Sequence, residues 1–146
     1  MINKNHGHFV TISSNSALID LPLISSYASF KVAQVKLLET LREELAANGI
    51  DGIKTTIVYP SILTGGIANG FEDSYEMTKD VMVTGVQAAK SITHGILKNK
   101  DVIYIPKIHR LFSLIKFIFS GRLLGKFVQT KAKINPKFLK LKPKIQ

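Results

Sequence analysis

Apolar positions along the chain follow two rhythms, one suited to strands and one to helices. Phe9-Val10-Thr11-Ile12 is a short β-branched run that follows Gly7 and stops at Ser13-Ser14, which predicts a buried strand. A loop containing Pro22 leads to Ser25-Ser26, expected to cap a helix from Tyr27 to Ala47. Val32, Val35, Leu38, Leu41 and Leu45 recur at intervals of three and four along it, and Asn48-Gly49 supplies a stop. Ile53 to Tyr59 predicts a second strand, closed by Pro60. A glycine-rich stretch from Thr64 to Gly70 and an acidic loop at Glu72, Asp73 and Glu76 precede a helix predicted over Thr78 to Leu97. Val102 to Ile105 predicts a third strand, ended by Pro106. Strand, helix, strand, helix, strand at these lengths implies right-handed crossovers and a parallel sheet, an α/β fold.

From Lys107 the rhythm changes. Apolar residues from Ile108 to Val128 are interrupted by Arg110, Lys116, Arg122 and Lys126, and Lys131 to Gln146 mixes lysines with Pro136 and Pro143. The expected division is therefore a folded body over 1–106 and a basic amphipathic segment and tail over 107–146. No uncharged run in 107–130 exceeds five residues. Five helical residues reach about 7–8 Å, far short of the roughly 30 Å hydrocarbon core. This segment is expected to lie on an anionic membrane or lipid surface, or to fold over the body as a lid.

Charge sharpens that division. The 146 residues carry a formal charge of +10, with 20 Lys and Arg against 10 Asp and Glu. Residues 1–100 hold nine basic and nine acidic side chains, while 101–146 hold eleven basic ones against Asp101 alone. All the excess sits in the last third. A hydrophobic content of 45% is enough for a core and excludes global disorder. The absence of cysteine excludes a disulfide framework, a thiolate nucleophile and thiolate metal sites. The opening residues lack the apolar stretch of a signal peptide, so secretion by that route is not expected. Nucleic-acid binding draws only on the net charge, because the tail's basic residues alternate with large aliphatics and form no recognition motif.

The candidate chemistry is a tyrosine and a lysine four apart. Tyr27 and Lys31 project from one face at the start of the long helix, and an ammonium beside a phenol favours the phenolate. Ser14 ends the preceding strand, at the carboxyl edge of a parallel sheet where ligands bind. Its hydroxyl could hold a substrate oxygen while Tyr27 moves the proton. The plain alternative is a half-buried tyrosine with a solvated lysine. His6, His8 and His94 lack neighbouring carboxylates at metal-ligand spacing, so no metal site is expected.

Context favours the chemical reading. His6-Gly7-His8-Phe9-Val10-Thr11-Ile12-Ser13-Ser14, followed thirteen residues after Ser14 by Tyr27-Ala28-Ser29-Phe30-Lys31, resembles the short-chain dehydrogenase/reductase family. Leu41-Arg42-Glu43-Glu44-Leu45 and Gly52 to Pro60 add to the likeness. Asn5-His6-Gly7-His8 and Ile103-Tyr104-Ile105-Pro106 resemble one branch, that of the lipid-droplet 17-beta-hydroxysteroid dehydrogenases and epidermal retinol dehydrogenases. The resemblance implies a partial Rossmann-like sheet, the second half of a doubly wound fold, working with NAD or NADP on an alcohol or ketone of a lipophilic retinoid or steroid. It implies Tyr27 as general acid/base, Lys31 on the nicotinamide ribose and Ser14 on the substrate oxygen. Pro60, Ile62 and Thr64 would lie along the nicotinamide and pyrophosphate side. It also implies the cytoplasmic face of the endoplasmic reticulum or a lipid droplet, and a homodimer contact through the helix Tyr27–Ala47.

The sequence departs from the family pattern in places. Ala17 stands where a glycine is usual, Pro60-Ser61 where Pro-Gly is frequent, and Thr64 falls one residue early. The family's amino-terminal glycine-rich turn and its active-site asparagine find no counterpart here. Gly66 and Gly70, like Gly121 and Gly125, are expected to serve loops or helix packing rather than phosphate. The chain is thus expected to be the carboxyl-terminal half of a dehydrogenase. The other reading of the same residues is an inactive fragment that associates with membrane surfaces.

Overall fold

A computed structural model describes residues 1–22, 24–64 and 82–118. Three strands form one parallel sheet in the order β1 (Gly7–Ile12), β2 (Ile53–Pro60), β3 (Val102–Ile105). Ile12 lies opposite Val58, and Pro60 opposite Ile105, so the three carboxyl ends line one edge. Helix α1 (Ser25–Ala47) connects β1 to β2, α2 (Gly85–Leu97) precedes β3, and α3 (His109–Ile118) follows it. The α/β class and parallel sheet expected from the alternation are what the chain adopts.

Side-chain alternation along β2 separates two cores. Ile57 and Tyr59 face α1, where they meet Leu38, Val35 and Leu41. Val58 faces the other way and packs with Ala88, Ile103 and Ile105, flanked by Ile92 and Ile96. With α1 on one face and α2 on the other, β2 is covered on both, as its run of six buried residues requires. β1 and β3 are the outer strands of the described sheet. Phe9 and Ile12 on β1 remain 45% and 43% exposed.

Helix ends differ in part from expectation. Gly49 has φ +67, the left-handed conformation that closes α1 as expected. At the other end Ile24, not a serine, occupies the capping position, and no side chain caps it. Ser25 and Ser26 lie in the first turn. Val32, read as part of the apolar face, is exposed. Helix α2 starts at Gly85 rather than Thr78, because Val83 forms a parallel bridge with Leu63 and so stays extended. Thr84 caps the helix reciprocally with Gln87. The glycine-rich stretch beyond Thr64, the acidic loop, Gly121, Gly125 and the tail from residue 119 lie outside the described residues.

Helix α3 turns back beside the segment after β1. Its Ile115 packs against the buried Ile19, in a cluster that Leu18 and Leu21 also join. That contact places the start of the basic segment next to the loop that carries Ser14.

Candidate active site

The site is built where β1 ends and α1 begins. Lys31 Nζ donates to the Ile12 carbonyl at 3.0 Å and to Gln34 Oε1 at 3.1 Å. Two of the ammonium's three donors are thereby used. The same ammonium lies 5.6 Å from the centroid of the Tyr27 ring, within cation–π range. Tyr27 itself is 45% exposed, as a residue that must meet a ligand can be. Beneath it, the buried Ser13 hydroxyl donates to the Lys31 carbonyl at 3.0 Å.

Ser14 follows in extended conformation and heads a 3-10 turn over Asn15–Ala17. Its oxygen accepts from the Ser16 amide at 3.1 Å, a bond that leaves the Ser14 proton available to a ligand. Next to it, the Ser16 hydroxyl is buried and finds no partner among the described residues. The structure thus brings Tyr27 to Lys31, and Lys31 to the strand end that leads into Ser14. No hydrogen bond joins the Tyr27 and Ser14 hydroxyls among the described residues.

Pro60 is buried at the end of β2, and the Ser61 amide donates to the Ile105 carbonyl at 2.7 Å. Ile62 and Thr64 are tied to the strand-like residue between them and α2. The Val83 amide donates to the Ile62 carbonyl, and the Thr64 amide to the Val83 carbonyl, both at 3.0 Å. What Thr64 offers a ligand is therefore its exposed side chain, not its amide.

Two residues that the sequence reading passed over sit at this edge. Asn15 and His109 are buried, and the Asn15 amide meets His109 Nδ1 directly. In the orientation that satisfies both ends of the amide, its nitrogen donates to the Tyr59 carbonyl and its oxygen accepts from the Ser61 amide, each at 3.3 Å. Asn15 so joins the ends of β1 and β2 to α3. Burial holds the His109 imidazole below its ordinary value. A histidine three residues beyond Pro106, which ends a strand, was the available signal, obscured by the cations around it.

Tyr59 is less suited to proton transfer. Burial pushes Tyr59 up to about 12, with help from Tyr104 and Glu39. It stacks on Tyr104 with centroids 5.3 Å apart. Of the remaining histidines, His8 Nε2 pairs with Thr56 Oγ1 at 2.7 Å, while His6 and His94 are exposed. Among the described residues no group of His, Asp and Glu could hold a metal ion.

The donor set fits the nicotinamide end of a dinucleotide. Lys31 has a donor to spare, the Ser14 proton is unused, and the buried Ser16 hydroxyl awaits a partner. Each suits a polar ligand at the carboxyl edge.

A family model for short chain dehydrogenases matches residues 1–76. Estradiol 17-beta-dehydrogenase 11 of Homo sapiens is 32% identical over 138 residues, covering 94% of this chain and 44% of that protein. 17-beta-hydroxysteroid dehydrogenase 13 of Homo sapiens is 32% identical over 119 residues, 81% of this chain and 38% of the relative. Short-chain dehydrogenase/reductase family 16C member 6 of Bos taurus is 31% identical over 124 residues, 85% of this chain and 39% of the relative. The chain spans less than half the length of each of these.

Proposed function

This chain belongs to the short-chain dehydrogenase family, and from that premise we propose that it carries the proton-transfer half of a hydride-transfer site. The reaction is the interconversion of an alcohol and a ketone on a lipophilic molecule of the retinoid or steroid kind. The observation that carries the reading is the Tyr27–Lys31 pair, held at the end of β1 by the bond from Lys31 to the Ile12 carbonyl.

Bound NAD or NADP supplies the site that takes up or gives the hydride. This chain's residues handle the oxygen and its proton. In the oxidative direction the Ser14 hydroxyl donates to the substrate oxygen, and Tyr27, as phenolate, takes the hydroxyl proton as the hydride leaves carbon. In the reductive direction the Tyr27 phenol returns that proton. Lys31 stabilises the phenolate and holds ribose hydroxyls with its remaining donor. Pro60, Ile62 and Thr64 border the cofactor along the end of β2.

The lipophilic substrate is met at a lipid surface, on the cytoplasmic side of the endoplasmic reticulum or on a droplet. The start of the basic segment, residues 107–118, is the part of the described chain that meets that surface. Ile108, Leu111 and Leu114 support this reading, since all three stand exposed where α3 begins. No helix among the described residues is long and apolar enough to cross a membrane.

The test is a fusion of this chain to the part of a relative that the match leaves out. Cofactor binding is followed by nicotinamide fluorescence and turnover by absorbance. The chain alone is expected to bind cofactor weakly and turn over little, and the fusion to do both. A fusion that binds cofactor yet turns over as well with Tyr27→Phe as without it would sink the assignment. A fusion that binds no cofactor would favour the inactive surface-bound fragment.

A further inference from the structure

The division of charge along the sequence is not the division in space. A cleft of about 550 Å³ opens beside β3, between α2 and the start of α3. Lys90, Lys100, Lys107 and Arg110 line it, with His94 beside Lys90 on the same face of α2. Lys90 and Lys100 belong to the part of the chain whose charges balance; Lys107 and Arg110 belong to the basic segment. Folding brings them to one rim.

Among the described residues no Asp or Glu lines this cleft. Asp101, next in sequence to Lys100, opens instead onto a depression with Arg42 and Asp51. The ion pair found among the described residues, Lys36 with Glu39, lies on α1. Four cations around one cavity repel each other unless an anion joins them. The floor beneath is apolar, made by Ile103, Ile105 and Pro106. Ile108, just before α3, and Leu111 on it each follow a cleft cation directly, and Leu114 continues their row, all exposed.

We propose that this cleft binds the phosphate headgroup of an anionic phospholipid, with Ile108, Leu111 and Leu114 entering the acyl boundary beside it. An anionic bilayer offers phosphate and hydrocarbon side by side, which matches a cationic rim flanked by exposed aliphatics. A soluble phosphate or a nucleic acid offers only the first. The inference rests on the surface-binding part of the proposed function and names where the surface is gripped.

The test uses the full chain and flotation with vesicles of phosphatidylcholine alone or mixed about four to one with phosphatidylserine. Lys90→Ala/Lys100→Ala is compared with Lys4→Ala/Lys36→Ala, a pair of equal charge elsewhere on the surface. All four side chains are exposed, and Lys100 joins the fold through its backbone, whose carbonyl accepts from the Thr56 hydroxyl at 2.7 Å. The cleft pair is expected to weaken binding to the mixed vesicles about thirtyfold, about fivefold per lysine, and the control pair much less. Equal losses from both pairs, or no loss from either, overturn the cleft while leaving surface binding intact. Failure of the unaltered chain to prefer mixed vesicles overturns both. Competition by inorganic phosphate at matched ionic strength would make this a soluble-phosphate site and also overturn it.

Discussion

Ser13 and Lys31 hold each other's segments in place. The Ser13 hydroxyl donates to the Lys31 carbonyl, and the Lys31 ammonium donates to the carbonyl of Ile12, the residue before Ser13, each at 3.0 Å. The end of β1 and the second turn of α1 are thus tied in both directions. Ser13→Ala is expected to cost about 1 kcal/mol of stability, the usual value of one such bond. Denaturant midpoints measure it, and an unchanged midpoint would show that the helix is placed by packing alone.

Tyr27→Phe separates chemistry from folding. The residue is half exposed, so its loss of a hydroxyl should change stability by no more than about 0.5 kcal/mol. In the active fusion kcat should fall at least about a hundredfold, the lower end of acid–base contributions. A fall in kcat that tracked a fall in thermal midpoint would point to structure rather than proton transfer.

His109 should make stability depend on pH with a definite sign. Burial lowers its folded value, while the unfolded chain takes up a proton near the usual value of about 6.5. Its contribution is complete above that value. As the pH falls from there towards the folded value, the unfolded state binds a proton that the folded state does not, and stability drops. Midpoints measured from about pH 8 to about pH 5 should fall less steeply for His109→Gln than for the unaltered chain. Parallel curves would show that this histidine is not the group responsible.

Gly95 marks where α2 comes closest to β3. A Cβ there would stand 2.3 Å from Ile103 Cδ1 and 2.7 Å from its Cγ1. Overpacking of about 1–3 kcal/mol, less the roughly 0.5–1 that alanine gains in a helix, leaves Gly95→Ala destabilised by about 1 kcal/mol. Ile103→Ala removes both atoms, so the double variant should be more stable than the sum of the two singles predicts. Strict additivity in that cycle would mean that the helix moves away instead.

Leu111→Asn/Leu114→Asn tests the apolar contribution to surface binding. Both residues are about half exposed, so folding should change little. Binding to anionic vesicles should weaken about tenfold or more, since two leucines no longer enter the acyl boundary. Unaltered flotation would place the anchor elsewhere in the chain.

The parts of this molecule legible in the sequence are those fixed by local chemistry. Phe9 to Ile12, Ile53 to Pro60 and Val102 to Ile105 form strands because β-branched runs end at serine or proline there. Tyr27 and Lys31 were legible because helical spacing alone puts them on one face. The start of α2 was misjudged because Val83 belongs to a bridge with Leu63, a contact between distant residues that no local pattern reports. Thr84 and Gln87 did carry the correct start, as a threonine and a glutamine three apart. Asn15 with His109, and Lys90 with Lys107, escaped for a similar reason. Each pairing exists only after α3 and α2 have packed, and a count of charges along the chain sets Lys90 and Lys107 apart.

The Asn15–His109 contact spans 94 residues of sequence, which bears on how the chain is made. During synthesis β1, α1 and β2 emerge together and can already pair and pack. The 3-10 turn that carries Ser14 then still lacks its polar partner on the side of α3. By then Asn15 can already reach Tyr59 and Ser61 at the end of β2, and its contact with His109 is added last, when α3 emerges. A nascent chain halted before α3 would hold a formed sheet and an unfinished site.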